Sequence, residues 1–189
     1  MDCLHTALAC CFRQKLAPHD ILWHGSARSV ALLIVDFPRY RSSEAFSELM
    51  YLLRQHGAKC TFLVPWDRLK ALGIKTSMYE TMRAINIEGH EVALHFRQGI
   101  CGRSNTQLRQ DAVEALHFLQ RVYGITVVSA KVGRPLTADH KAFESLGLTV
   151  VDGVPNQVVV EDTDDVLMDT AMVLEAVRGQ QCVCVRDVR

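Results

Sequence analysis

The stretch 30-VALLIVDFPRY-40 sets the first question. Val30 to Val35 is an unbroken apolar run of strand length, and it meets one acid, Asp36, and then Pro38. Such a run reads as a strand buried on both faces, the kind found in parallel sheets. A carboxylate at its end is either a solvated cap or the first member of a site.

The chain around it alternates in type. Further strand-like segments are expected at 59–64, 91–95, 125–129, 148–151, 157–160 and 181–185. Helical spacing falls between them, at 43–55, 77–87, 106–123, 137–146 and 164–177. Gly57, Gly89, Gly124, Gly147 and Gly179 stand where these helices should stop. Seven short strands alternating with helices predict βα units on a parallel sheet. Both an open doubly wound sheet and a small distorted βα barrel fit. There is no GxGxxG after the first strand and no GxxxxGK[ST], so the nucleotide-binding versions lose weight.

Composition narrows the classes. The chain has 189 residues, 49% hydrophobic and of zero formal net charge. That suits one domain with a sizeable core. No basic stripe supports nucleic-acid binding, and no apolar stretch approaches the roughly 18 residues of a membrane helix. The opening segment, with 7-ALACCF-12, lacks a basic start and a small-x-small cleavage site, and is expected to be a leader helix or arm. The seven cysteines are then reduced thiols in a cytoplasmic protein. Cys182 and Cys184 read as small apolar residues facing the core.

Sites in parallel α/β folds form at the C-terminal ends of the strands. Asp36, His95, Lys131, Arg134, Asp152, Glu161 and Asp162 all fall at or just beyond expected strand ends. An Asp and a His on neighbouring strands can bind a divalent metal, with zinc favoured for mixed N/O ligation. Two protein ligands alone make a poor zinc site, since catalytic zinc has three and a water. His90 lies an odd five residues from His95, on the opposite face of a regular strand, and is expected to be structural.

The blocks 57-GAKCTFLV-64, 89-GHEVALHFRQG-99, 131-KVGRP-135, 139-DHKAFESLGLTVVDG-153 and 158-VVVEDT-163 follow Asp36 in order. Together they resemble the polysaccharide deacetylases, the NodB-homology family. The resemblance covers about residues 30–189, with 1–29 as an N-terminal extension. It implies a single-domain α/β fold, a distorted (β/α)7 barrel of mostly parallel strands. It also implies a metal-dependent hydrolase acting on acetylated polysaccharides. The family's T-F-D-D-G-P block aligns with Leu33 to Pro38, so Asp36 and His95 match two metal ligands. Val35 stands where the family has its catalytic base, Gly99 where it has a second histidine ligand, and Phe96 where it has Ser or Thr. Lys131 replaces the arginine that steadies the base, and Glu161 replaces the late histidine that acts as acid.

Valine takes no proton and glycine binds no metal. General acid–base help is worth about 10²–10⁴ in rate, so these losses predict a protein of little or no hydrolytic activity. Bound zinc is doubtful on the same count. The alternative is a rearranged hydrolase. In it Asp152 or Asp162 joins Asp36 and His95 on the metal, and Glu161 serves as acid or base. Lys131, Arg134 and Asp152 are the expected contacts to a glycan or small-molecule ligand. A third reading makes the barrel a scaffold for interactions.

Overall fold

The computed structural model describes residues 29–35, 43–72, 76–96, 104–132, 137–153, 157–161, 166–178 and 180–187. Seven strands alternate with helices along them: β1 (Ser29–Val35), α1 (Ser43–Gln55), β2 (Thr61–Pro65), α2 (Trp66–Leu72), α3 (Thr76–Ile87), β3 (Glu91–Phe96) and α4 (Asn105–Tyr123). There follow β4 (Ser129–Val132), α5 (Thr137–Glu144), β5 (Thr149–Val150), β6 (Gln157–Glu161), α6 (Val166–Ala176) and β7 (Gln181–Val183). Short 3₁₀ turns, Val151–Gly153 and Val185–Asp187, follow β5 and β7.

Every strand pairing is parallel, in the order β5-β4-β3-β2-β1-β6, with β7 also on β1. This is the distorted (β/α)7 barrel, open between β5 and β6 among the described residues. Its two apolar layers follow from the period of two along each strand. Leu32, Ile34, Phe62, Val64, Val92 and Leu94 face the helices and pack on Phe46, Leu49, Leu53, Met82 and Ala115. Ala31, Leu33, Leu63, Ala93, Val151 and Val185 form a second, small cluster inside the curl.

The longest helix, α4, is specified at both ends. The Ser104 hydroxyl accepts the Gln107 N–H while the Gln107 side chain accepts the Ser104 N–H, a reciprocal cap. Gly124 ends it at φ 69°, in the left-handed region where glycine is unstrained.

Two expectations shift. Residues 125–128 do not pair as a strand, and β4 begins at Ser129. Ile125 and Val127 are buried while Thr126 and Val128 are exposed. The Val128 carbonyl accepts the Thr149 N–H at 2.8 Å at the edge of the β4–β5 ladder, and the β-branched composition of 125–127 reflects a half-buried surface. Lys131 consequently lies on β4 itself. The helix α2 starts directly after Pro65 and buries Trp66 and Leu69, three residues apart. Its seven residues are too short for a periodic signal.

The strand β7 sits in the seam between β1 and β2. Ala31 pairs with Gln157 of β6 and also with Val183 of β7, so β7 occupies the other edge of β1, the β2 side. The β1–β2 pairing itself is confined to Leu33↔Thr61 and Ile34↔Phe62. On its far side β7 accepts the Lys59 N–H at the Cys182 carbonyl, 3.0 Å.

One carboxylate fastens this end of the barrel. Glu91 is 2% exposed. It accepts from the Thr61 hydroxyl at 2.8 Å, from the Ser129 hydroxyl, and from the Arg186 N–H at 3.1 Å. The Thr61 oxygen in turn accepts the Val185 N–H at 2.9 Å. Removing Glu91 leaves several buried donors without an acceptor. In urea denaturation, Glu91→Ala is expected to lose about 3 kcal/mol or more. Glu91→Gln, which keeps one acceptor but adds a donor, should fall between it and the parent.

Candidate functional site

The C-terminal ends of β3, β4 and β5 bring three of the expected site residues together. His95 follows Glu91 and Ala93 on the inward side of β3 and is 7% exposed. The register sets it level with Pro65 of β2 and Lys131 of β4. Past β5, Val151 is buried in the inner cluster, and the 3₁₀ turn turns Asp152 toward β4. There the Lys131 Nζ donates to Asp152 Oδ1 at 2.8 Å, and the Val132 N–H lies 3.4 Å from Oδ2. Both side chains of the pair are 21% exposed, so the bridge is better shielded than a surface pair.

His95 is neutral at physiological pH. Burial pushes its pKa down from 6.5 to about 4; the Lys131 charge adds to this, and Asp152 and then Asp67 oppose it. Asp67 was not expected at the site from sequence. It lies in the first turn of α2, the helix that gave no periodic signal.

Asp36, Gly99, Arg134 and Asp162 lie outside the described residues, as do residues 1–28 and Cys101. Glu161 closes β6, and its Cα partner across the ladder is Val35. The backbone thus sets side by side the two positions that the resemblance assigns to base and acid.

A neutral imidazole is the form that binds metal, so His95 alone suits a ligand role. Among the described residues no group of three His, Cys, Asp or Glu side chains gathers on one point, and Asp152 is turned to Lys131. With glycine at position 99, the described rim is short of the three protein donors that catalytic zinc needs. What the rim offers is a fixed ammonium donor, a carboxylate acceptor and a neutral ring, an arrangement suited to hydrogen-bonding polar ligands.

The remaining expectations about histidine and cysteine concern the opposite end. His90 is 3% exposed and accepts the Cys60 N–H at 3.2 Å through Nδ1, the structural role read for it. Cys182 and Cys184 are buried and free, as is Cys60. No helix among the described residues is long and apolar enough to cross a membrane.

The charges around His95 make its titration a directional test. Removing the Lys131 cation, as in Lys131→Met, should raise the His95 pKa seen by NMR. Asp152→Asn should lower it further. Because the folded value lies below the unfolded one, the stability that His95 contributes is complete above about pH 6.5. It is lost as the pH falls toward 4. Lys131→Ala should itself cost about 1–2 kcal/mol, since it leaves Asp152 partly buried without its cation.

No protein-family model matches the chain, and no curated protein matches it. Solved structures do. The carbohydrate esterase family 4 (CE4) domain of a multidomain xylanase from the hindgut metagenome of Trinervitermes trinervoides superposes with a TM-score of 0.66 at 14% identity, covering 86% of this chain and 89% of that one. A family 4 carbohydrate esterase from Streptomyces lividans, in complex with acetate, gives 0.62 at 15% identity over 85% and 95%. A CE4 pseudoenzyme from Bacillus anthracis gives 0.66 at 13% identity over 87% and 66%. A mutant of that pseudoenzyme with restored enzymatic activity matches equally well, at 0.66 and 14% identity over 87% and 68%. This chain has the fold of the family 4 carbohydrate esterases and deacetylases, a fold shared by active enzymes and pseudoenzymes.

Proposed function

We propose that this protein is a pseudoenzyme of the polysaccharide deacetylase fold, a binding module whose rim holds a glycan or another small polar ligand without hydrolysing it. The observation that carries this reading is the register of β1 on β6. Val35 is the Cα partner of Glu161, so the two positions that the resemblance gives to base and acid are neighbours, and the base position carries valine, which has no ionisable group. With valine at position 35, the base that would pair with Glu161 in the family mechanism is missing from the sequence. Glycine at position 99, where the resemblance puts a second histidine ligand, supports the same reading, because catalytic zinc takes three protein donors and leaves the fourth position to water.

In this reading Lys131 and Asp152 serve as ligand contacts, with Arg134 joining them and Asp36 a remnant of the metal site. The domain begins one residue before the expected boundary, with β1 at Ser29, which pairs with Gln181, and residues 1–28 are its N-terminal extension. The buried, free thiols suit a reducing cytoplasm, and a soluble glycan precursor suits that compartment. The zero net charge gives no support to a nucleic-acid partner.

The test is acetate release from N-acetylated chitooligosaccharides by the purified chain with added zinc or cobalt. None above background is expected. Zinc-dependent release that Asp36→Ala abolishes would overturn the proposal in favour of a rearranged hydrolase. Val35→Asp alone should also stay inactive. Val35→Asp combined with Gly99→His and Glu161→His restores base, ligand and acid together, and is the set expected to show turnover. Calorimetric titration with the same oligosaccharides checks the binding half, and Lys131→Ala should weaken any heat observed.

A further inference from the structure

His90 stands just before β3, at the end of the barrel away from the rim. Its ring lies edge-on to Phe62, centroids 5.8 Å apart, and its Nδ1 accepts the Cys60 N–H at 3.2 Å. The Cys60 peptide is a junction between strands. Its carbonyl accepts the Glu91 N–H at 3.0 Å and the Cys184 thiol at 3.3 Å. The preceding Lys59 N–H holds the Cys182 carbonyl at 3.0 Å. Through this peptide the start of β3 is tied to β7 and the turn after it.

The hydrogen bond fixes the tautomer. With Nδ1 accepting, the ring proton sits on Nε2. An imidazolium carries a proton on both nitrogens, so Nδ1 would then meet the Cys60 N–H donor against donor. The surroundings add to the conflict. Lys59, Arg54 and Arg186 all bring positive charge toward His90, and Glu88 is the acid that opposes them. Glu88 is engaged by Arg54 at 2.6 Å, and its carbonyl accepts the Lys59 ammonium. Arg186 donates to the Gly89 carbonyl at 3.3 Å. The Cys60 sulfur, 3.6 Å from Nδ1, belongs to a thiol that burial keeps protonated.

We propose that His90 is an acid-sensitive pin for the C-terminal segment. Protonation at Nδ1 breaks the Cys60 N–H bond and releases β7 and the Val185–Asp187 turn from the β1–β2 seam before the rest of the barrel unfolds. The proton comes from solvent, and no covalent bond changes. Burial, with Lys59 adding, Glu88 opposing and Arg186 and Arg54 adding, holds the folded pKa down from 6.5 to about 4. Release returns the ring to water and to its ordinary value. Acidification therefore favours release from about pH 6.5 down to about 4 and adds little below that. By linkage the release equilibrium rises roughly twentyfold between pH 7 and pH 5.

The experiment labels the full chain with 4,4′-dithiodipyridine between pH 7 and 5. Rates are normalised to glutathione at each pH, and the peptide carrying Cys182 and Cys184 is read by mass spectrometry. Tryptophan fluorescence reports the rest of the fold. Labelling of that peptide should rise roughly twentyfold with fluorescence unchanged. His90→Asn, whose Oδ1 accepts without titrating, should reduce the rise to about twofold or less. An equal rise in His90→Asn overturns the proposal, as does fluorescence lost in step with labelling in the parent. Should His90→Asn not fold, hydrogen exchange of the parent decides. Deprotection of the amides at 182–187 ahead of β3 supports the pin, and uniform deprotection refutes it.

Discussion

The barrel depends on a carboxylate inside it. A strand buried on both faces needs apolar side chains almost throughout, yet Glu91 opens β3 on the inward side at 2% exposure. Its place is tolerated because Thr61, Ser129 and the Arg186 N–H all point donors at it. These partners come from β2, β4 and the last turn. The carboxylate therefore does with directional bonds what the small inner cluster, built on two alanines, two leucines and two valines, does not do alone. An apolar substitute would leave each of these donors buried and unpaired, so the network stands or falls as a set.

The two ends of β3 then have opposite characters. At one end an acid is held by neutral donors. At the other, His95 is kept neutral beside an ammonium that is itself matched by Asp152. A matched pair of this kind offers directional hydrogen bonds with little net field.

Much of the fold was legible because its signals are local. The apolar run before Asp36, the helical spacing of 43–55 and 106–123, and the glycine stops each reflect a few consecutive residues, and the structure places elements there. Residues 125–128 misled because β-branched composition marks a surface to be covered, not the strand that covers it. The site was legible in part. Lys131, Asp152 and His95 stood at expected strand ends, but their pairing depends on a 3₁₀ turn that no periodicity announces. Asp67 was missed for the same reason as its helix. Glu91 was overlooked although Glu91, Ala93 and His95 share the parity of one strand face, a signal that was available. Its partners, Ser129 and the Arg186 amide, come from far along the chain, and nothing local names them.

The seam position of β7 has a consequence for how the molecule is assembled. The last strand lies against the first and accepts from the residues just before the second, and Cys184 reaches Cys60 across 124 positions of sequence. During synthesis the first two strands therefore emerge with a gap between their lower halves. Among the described residues, the strand that fills it is β7, near the end of the chain. The loop that closes last is almost the longest the domain contains, and loop closure of this span slows folding more than it weakens the finished structure. A nascent chain of this protein should thus carry an open strand edge for most of its translation. That is the interval in which chaperones, or another copy of the same chain, compete for it.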